Sequence, residues 1–207
     1  IDGFIVQSET VKNELKFLKK DAKIVKRFHP IYDLYGDRQD KCKSKYELGI
    51  KSKHVILFFG IIREYKGLDL LIESINILKN KLDDFHLLIV GECYENINKY
   101  ILLIKQFELN HLVTFVNEYV SEKDISKYFS CSDVVVLPYK SASQSGVIQI
   151  AYNFNTPVVT TDVGGLSEYI DDGNTGVLVE SKNPIQLSEV LYDNLVNDCF
   201  NQFSKNI

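Results

Sequence analysis

Two cations and a glycine stand close together in Gly60-Ile61-Ile62-Arg63-Glu64-Tyr65-Lys66-Gly67. The stretch follows the apolar run Val55-Ile56-Leu57-Phe58-Phe59. It opens a segment in which Leu68, Leu71, Ile72, Ile75 and Leu78 recur at helical spacing. In an open α/β sheet, ligands bind at the carboxyl ends of strands. Gly60 lets the backbone come close to a ligand. Arg63 and Lys66 add two charges beside a helix N-terminus, which already favours anions. The chemistry is recognition of an anion such as a diphosphate, with a solvated basic turn as the plain alternative. The stretch is neither a Walker loop nor G-x-G-x-x-G, so the ATP and NAD fingerprints are absent.

A second stretch, Pro138-Tyr139-Lys140-Ser141-Ala142-Ser143-Gln144-Ser145-Gly146-Val147, follows another apolar run and leads into a helix. Ser143, Gln144 and Ser145 offer hydroxyl and amide groups. The backbone amides of Ser145, Gly146 and Val147 would point outward at the helix start. Such a place can hold a hydroxyl-rich, phosphorylated molecule; simple N-capping by Ser143 or Ser145 is the alternative. A third stretch, Thr160-Thr161-Asp162-Val163-Gly164-Gly165-Leu166-Ser167-Glu168, pairs two glycines that permit a tight turn near a ligand. Glu168 is placed to cap or orient the following helix, and a purely structural turn is equally open.

The elements that must position these stretches are short, continuous apolar runs rich in β-branched residues: 55–59, 87–90, 113–116, 134–137, 158–160 and 177–179. Strands buried on both faces read this way and belong to parallel sheets. Helical segments lie between them. One follows Gly67, one carries Ile97, Ile101 and Ile104, and Ser121 with Asp124 reads as a capping box for a helix through Phe129. Asn183-Pro184 opens the last, with Leu187, Val190, Leu191 and Leu195 on one face. Six strands with helical crossovers give an α/β, doubly wound parallel sheet. The three stretches follow its first, fourth and fifth strands, whose carboxyl ends converge on a central crevice.

Residues 1–36 differ. A strand over 3–6, a helix over 9–20 and a strand over 22–25 precede an extended linker, Arg27-Phe28-His29-Pro30-Ile31-Tyr32-Asp33. Pro30 keeps His29 out of helical geometry. A strand, a helix and a strand cannot bury their own faces, so 1–36 is expected to end one domain and 37–207 to form another. The chain contains no Met, not even at position 1, as expected of a fragment.

The composition is that of an ordinary globular protein, with 45% hydrophobic and 25% charged residues. A net charge of -4 argues against nucleic-acid binding. No apolar run approaches the roughly 20 residues of a bilayer-spanning helix, and no basic stretch followed by an apolar core marks a signal peptide. Cys42, Cys93, Cys131 and Cys199 form no C-x-x-C pair and the four His are dispersed. Free thiols in a reducing cytosol and no metal site are expected.

Taken together, G-I-I-R-E-Y-K-G resembles the G-R-L-x-x-x-K-G stretch of glycosyltransferase family 4, the group 1 glycosyltransferases. L-P-Y-K-S-A-S-Q-S-G-V-I-Q-I-A-Y-N-F-N-T-P-V-V-T-T-D-V-G-G-L-S-E resembles that family's donor-site region, usually close to E-G-F-G-L-x-x-L-E-A-M-A-x-G-x-P-V-V-A-T-x-V-G-G. The match runs from about residue 53 to 200. The resemblance implies the Rossmann-like C-terminal half of a two-domain GT-B enzyme, with 1–36 as the end of its N-terminal domain and linker. It implies a nucleotide-diphosphate-sugar donor, transfer with retention to a glycan or lipid-linked acceptor, no metal or other cofactor, and a cytoplasmic enzyme of polysaccharide biosynthesis with peripheral membrane association. Arg63 and Lys66 match the diphosphate-binding cations, Gly60 the glycine of the same loop, and Tyr119 and Val120 a stretch where the base packs. Ser143, Gln144, Ser145, Gly146, Val147 and Gln149 fall in the donor loop and helix.

Two departures stand out. The family's paired glutamates fall, counting back from Pro157, on Ala142 and Ile150. Some members carry Q-S-G in this loop, as here, so Gln144 and Ser145 are candidates for the first role. Gln149, one residue before Ile150, is the candidate for the second, although a helix turns about 100° per residue. Other readings remain: a nucleotide-sugar-binding module without turnover, an epimerase of the same fold, and, weaker, a flavodoxin-like receiver. An epimerase would want acidic and histidine side chains in the cleft, and a receiver an acidic phosphoacceptor rather than two cations.

Overall fold

Each apolar run is a strand in the computed structural model, which describes residues 3–207. The main sheet contains β3 (His54–Phe59), β4 (Phe85–Val90), β5 (Val113–Val116), β6 (Val134–Leu137), β7 (Val158–Thr161) and β8 (Gly176–Val179). All are parallel, in the order β5-β4-β3-β6-β7-β8. Between β3 and β6 the direction of winding reverses, and a crevice opens beyond the carboxyl ends of these two strands.

The pleat sends alternate side chains to opposite faces. Ile56 and Phe58 join a core shared with α3 (Leu68–Leu78), α4 (Asn98–Gln106), α7 (Pro184–Val196) and α8 (Cys199–Phe203). Val55, Leu57 and Phe59 join the opposite core, with α5 (Glu122–Cys131) and α6 (Gly146–Asn153). Both faces are covered, which is why the strands read as unbroken apolar runs. Leu57 is fully buried, and truncating such a side chain to alanine costs roughly 2–5 kcal/mol.

The expected helices form, with changes at their ends. Asn183 caps α7 through Gln186 N at 3.0 Å. Ser121 precedes α5, but its hydroxyl donates to Asp124 Oδ2 at 2.7 Å instead of accepting from a backbone amide. The capping box is therefore a side-chain pair. Two helices escape the sequence pattern. α2 (Lys41–Glu47) is almost wholly polar and starts where Asp40 accepts from Lys43 N at 2.8 Å; α8 is a short turn secured by Phe200 and Phe203.

The first segment makes a separate parallel pair, β1 (Phe4–Val6) with β2 (Ile24–Lys26), joined by α1 (Glu9–Leu18). No residue of α1 is buried, and Ile5, Phe17 and Leu18 are largely exposed. The four cysteines are free thiols.

Candidate functional site

The loops after β3 and β6 are built against each other. Beyond Phe59 the chain continues alongside the end of β4, with Gly60 N donating to Val90 O and Ile62 N to Glu92 O, both at 2.9 Å. Gly60 has φ +101°, a conformation that disfavours a side chain. A Cβ there would also sit 3.3 Å from Lys66 Nζ and 3.5 Å from Val147. A single 3-10 turn, Glu64–Lys66, then leads into α3 through Gly67. Gly67 has φ +68°, and a Cβ would lie 2.0 Å from Pro138 O, so only glycine lets the two loops meet. Further contacts lock them. Lys140 N donates to Tyr65 O at 2.7 Å, Lys140 Nζ pairs with Asp69 Oδ2 at 2.7 Å, and the rings of Tyr65 and Tyr139 meet edge to face at 6.0 Å.

This frame holds Lys66 in place with only 9% of its surface exposed and its ammonium 5.5 Å from the Tyr139 ring centre. Arg63 stands nearby, exposed, over the Tyr94 ring. Burial first, and then the charge of Arg63, push the Lys66 ammonium down to a pKa of about 8. Neither cation takes part in any of the eight ion pairs among the described residues. Across the cleft α6 begins at Ser145, whose Oγ accepts from Val147 N at 3.3 Å and lies 3.3 Å from the Tyr139 hydroxyl. Two unpaired cations and a helix N-terminus face one space, an arrangement made for an anion.

That space is a cleft of about 470 Å³, lined by Gly60, Arg63, Lys66, Gln144, Ser145, Gly146 and Val147. It runs into a narrower pocket of about 180 Å³ lined by Tyr119, Val120, Ile125, Gly91 and three carboxylates, Glu92, Glu118 and Glu122. Tyr35, Phe59, Gly60, Ile61 and Ile150 line both, so the two form one groove across the ends of β3, β4 and β6. Its ends have opposite character. The wide end is cationic; the narrow end is aromatic and acidic, with no cation in its wall among the described residues.

Nine of the residues singled out from the sequence therefore meet in this groove: Gly60, Arg63, Lys66, Tyr119, Val120, Gln144, Ser145, Gly146 and Val147. Two do not reach it. Gln149 is buried on α6 and lines neither part, because the next residue, Ile150, takes the groove-facing position one helical step away. Ser143 faces a separate hollow between the loop after β6 and the first segment, with Ile5, Gln7 and Ser8. The linker tyrosines Tyr32 and Tyr35 were not singled out and do line the groove. Nothing local in the sequence tells where a linker lies in space.

The third stretch takes the structural one of its two readings at the glycines and differs from the expectation at Glu168. Gly164 and Gly165 turn tightly against protein: a Cβ at Gly164 would lie 1.6 Å from Ala142 O, and one at Gly165 2.5 Å from Ser8 Cβ. Glu168 does not cap the helix that follows it. Its carboxylate accepts from Glu9 N at 2.7 and 2.9 Å and from Thr10 N at 3.3 Å, capping α1, and pairs with Lys26 at 3.1 Å. Burial would raise its pKa, but the Glu9 amide and Lys26 outweigh that and hold it below the usual carboxylate value.

Residues 53–197 match the family model described as glycosyl transferases group 1. The D-inositol 3-phosphate glycosyltransferase of Paenarthrobacter aurescens (strain TC1) is 32% identical over 148 residues, 67% of this chain and 34% of that protein. The chain spans about a third to a half of the length of the curated relatives it matches. Among solved structures, the C-terminal domain of a glycosyl transferase group 1 family protein (LpcC) from Francisella tularensis superposes with a TM-score of 0.74 at 22% identity, over 84% of this chain and 92% of that one. HepE of Anabaena, solved with UDP and glucose, gives 0.81 at 18% identity, over 99% of this chain and 56% of that one. At these identities the structural likeness speaks to the fold.

Proposed function

The chain belongs to the group 1 glycosyltransferases, and on that footing we propose that its groove holds the nucleotide-diphosphate-sugar donor of a sugar transfer. The observation that carries the reading is the polarity of the groove. The unpaired Arg63 and Lys66 at the wide end suit the diphosphate, and the aromatic, acidic end at Tyr119 and Val120 suits a base, whose ring stacks and whose N–H groups seek acceptors. The solved neighbour that carries UDP and glucose supports the same ligand class.

As the bond from the sugar to the diphosphate breaks, negative charge gathers on the departing phosphate. Cations there bind the transition state more tightly than the ground state, which accelerates the step. Arg63 and Lys66 supply that charge, and we assign the reaction no metal or other cofactor. Gln144 and Ser145 are left to orient the sugar. Among the described residues no carboxylate lines the wide end. This supports a reaction without a side-chain nucleophile from this chain; retention rests on the family resemblance alone.

The acceptor, a glycan or a lipid-linked sugar, would meet the donor in a cleft between 37–207 and an N-terminal domain whose end and linker are 1–36. The exposed Ile5, Phe17 and Leu18 support that division. No helix among the described residues is long and apolar enough to cross a membrane. Polysaccharide synthesis in the cytoplasm, peripherally at the membrane face, is the setting we propose. This chain alone would bind nucleotide and transfer nothing.

Thermal-shift titration with UDP, GDP, ADP and their sugars tests the reading. A ligand at 100 times its dissociation constant stabilises the fold by about 2.7 kcal/mol, and Lys66→Ala should remove the shift. Failure of all three nucleotides to raise the melting temperature would sink the proposal. An upstream α/β half of about 150 residues, near the usual domain size, separates a transferase from a binding module. The extended protein should melt higher and transfer sugar.

A further inference from the structure

The groove narrows where its two ends join, and five residues line both sides of that join: Tyr35, Phe59, Gly60, Ile61 and Ile150. Four of these carry no polar side-chain atom. Among the described residues that line both ends, Tyr35 is therefore the one with a side-chain hydrogen-bonding group. A nucleoside diphosphate lying with its phosphates at Lys66 and its base at Tyr119 places its ribose at that waist. Accepting the donor reading above, we propose that Tyr35 binds the ribose, so that the linker and not the helix α6 recognises the sugar of the nucleotide.

The linker holds Tyr35 ready for this role. Tyr32 hydrogen-bonds His29 Nε2 through its hydroxyl at 2.7 Å. Its ring lies 3.1 Å from where a Cβ on Gly146 would stand, which docks it on the first turn of α6. The Tyr32 and Tyr35 rings then meet edge to face at 6.4 Å. Both are half-buried against the core beneath α5 and α6. Burial, with the charge of Glu122 behind it, raises the Tyr35 pKa and keeps the hydroxyl protonated. It can both donate to a ribose oxygen and accept from a ribose hydroxyl. The neighbouring residue that might have served from α6, Gln149, is buried away from the groove.

Titration calorimetry on this chain with UDP, GDP and ADP, and with the 2′,3′-dideoxy form of whichever binds, gives the test. In the wild type the ribonucleotide should bind more tightly than its dideoxy form. Tyr35→Phe keeps the ring and the wall of the groove. It should weaken the ribonucleotide by about 2- to 12-fold, the range of one neutral hydrogen bond, leave the dideoxy form unchanged, and so abolish the preference. Each variant is compared with itself across two ligands, so a loss of folded protein cannot imitate the result. A wild type indifferent to the ribose hydroxyls, equal losses for both ligands, or a preference that survives Tyr35→Phe would overturn the assignment. If nucleotides bind and Lys66→Ala abolishes binding in those cases, the donor reading stands and the ribose assignment alone falls. If none of the three nucleotides binds the wild type, both fall together.

Discussion

The turn after β3 and the turn after β7 look alike in outline and act differently. Each leaves the carboxyl end of a central strand, each bends on glycine, and each carries charge within a few residues. Among the described residues the first turn leaves Arg63 and Lys66 without an ion-pair partner, facing a cleft of about 470 Å³. The second commits its charge inside the molecule: Glu168 accepts from two amides of α1 and pairs with Lys26. Keeping a cation unpaired and mostly buried is costly, since desolvation disfavours its charged form. The fold tolerates that at Lys66, where an arriving anion would relieve it. A charge already matched on all sides has nothing left to offer a ligand. Charge type marks neither turn as functional; the state of its partners separates them.

The contrast breaks first if Lys66 proves dispensable. On the proposed function, Lys66→Ala in a form extended by an upstream domain and active in transfer should lower turnover by about 10²–10³, the loss seen when one donor to a developing oxyanion is removed. Wild-type turnover in that variant would refute the diphosphate role.

A pH titration sharpens the same point. Nucleotide affinity should hold below pH 8 and then fall about tenfold per unit as the free Lys66, with its pKa of about 8, loses its proton. The fall should level off above the higher pKa of the bound form. Lys66→Arg stays protonated throughout and should flatten the profile; a wild-type profile flat from pH 7 to 9.5 would contradict the assignment.

Glu168→Ala tests the other turn. It removes the carboxylate from the first two amides of α1, leaving Ser8 on Val11 N, and should cost about 1–2 kcal/mol of stability while leaving nucleotide affinity within twofold, roughly 0.4 kcal/mol. Because the native pKa of Glu168 is lowered from 4.5, its contribution is present above that pH and is lost as the pH falls through the lower, native value. An acid melt in which the variant and the wild type converge below this window checks the sign. Smallest is Gln144→Ala, where a neutral amide lost from the sugar contacts should weaken the donor about 2- to 12-fold and relax the choice between sugars. Equal losses for all donor sugars would remove Gln144 from the specificity contacts.

The secondary structure was largely legible because it rests on local pattern. Runs such as Val134–Leu137 and the spacing of Leu68, Leu71, Ile72, Ile75 and Leu78 match the observed elements closely. α2 escaped for the converse reason: its sequence, KCKSKYE, has no apolar stripe, and the helix exists through its Asp40 cap and its packing on α5. The cation pair was visible too, since Arg63 and Lys66 are near neighbours at a strand-to-helix turn.

What the sequence determined by itself was thus the six strands of the main sheet and the apolar-striped helices between them, their parallel pairing through crossovers, and the chemical character of the turns that follow β3 and β6. Tertiary structure alone decided the partners. It brought Glu9 to Glu168 across 159 residues, set Tyr35 at the waist of the groove, and turned Ile150 toward the groove in place of Gln149. Helices and strands follow from the periods of 3.6 and 2.0 along the chain. Which side chains meet across the crevice follows from the strand order β5-β4-β3-β6-β7-β8. That order is settled by the joint burial of both sheet faces, a property of the whole chain that no short stretch of it encodes.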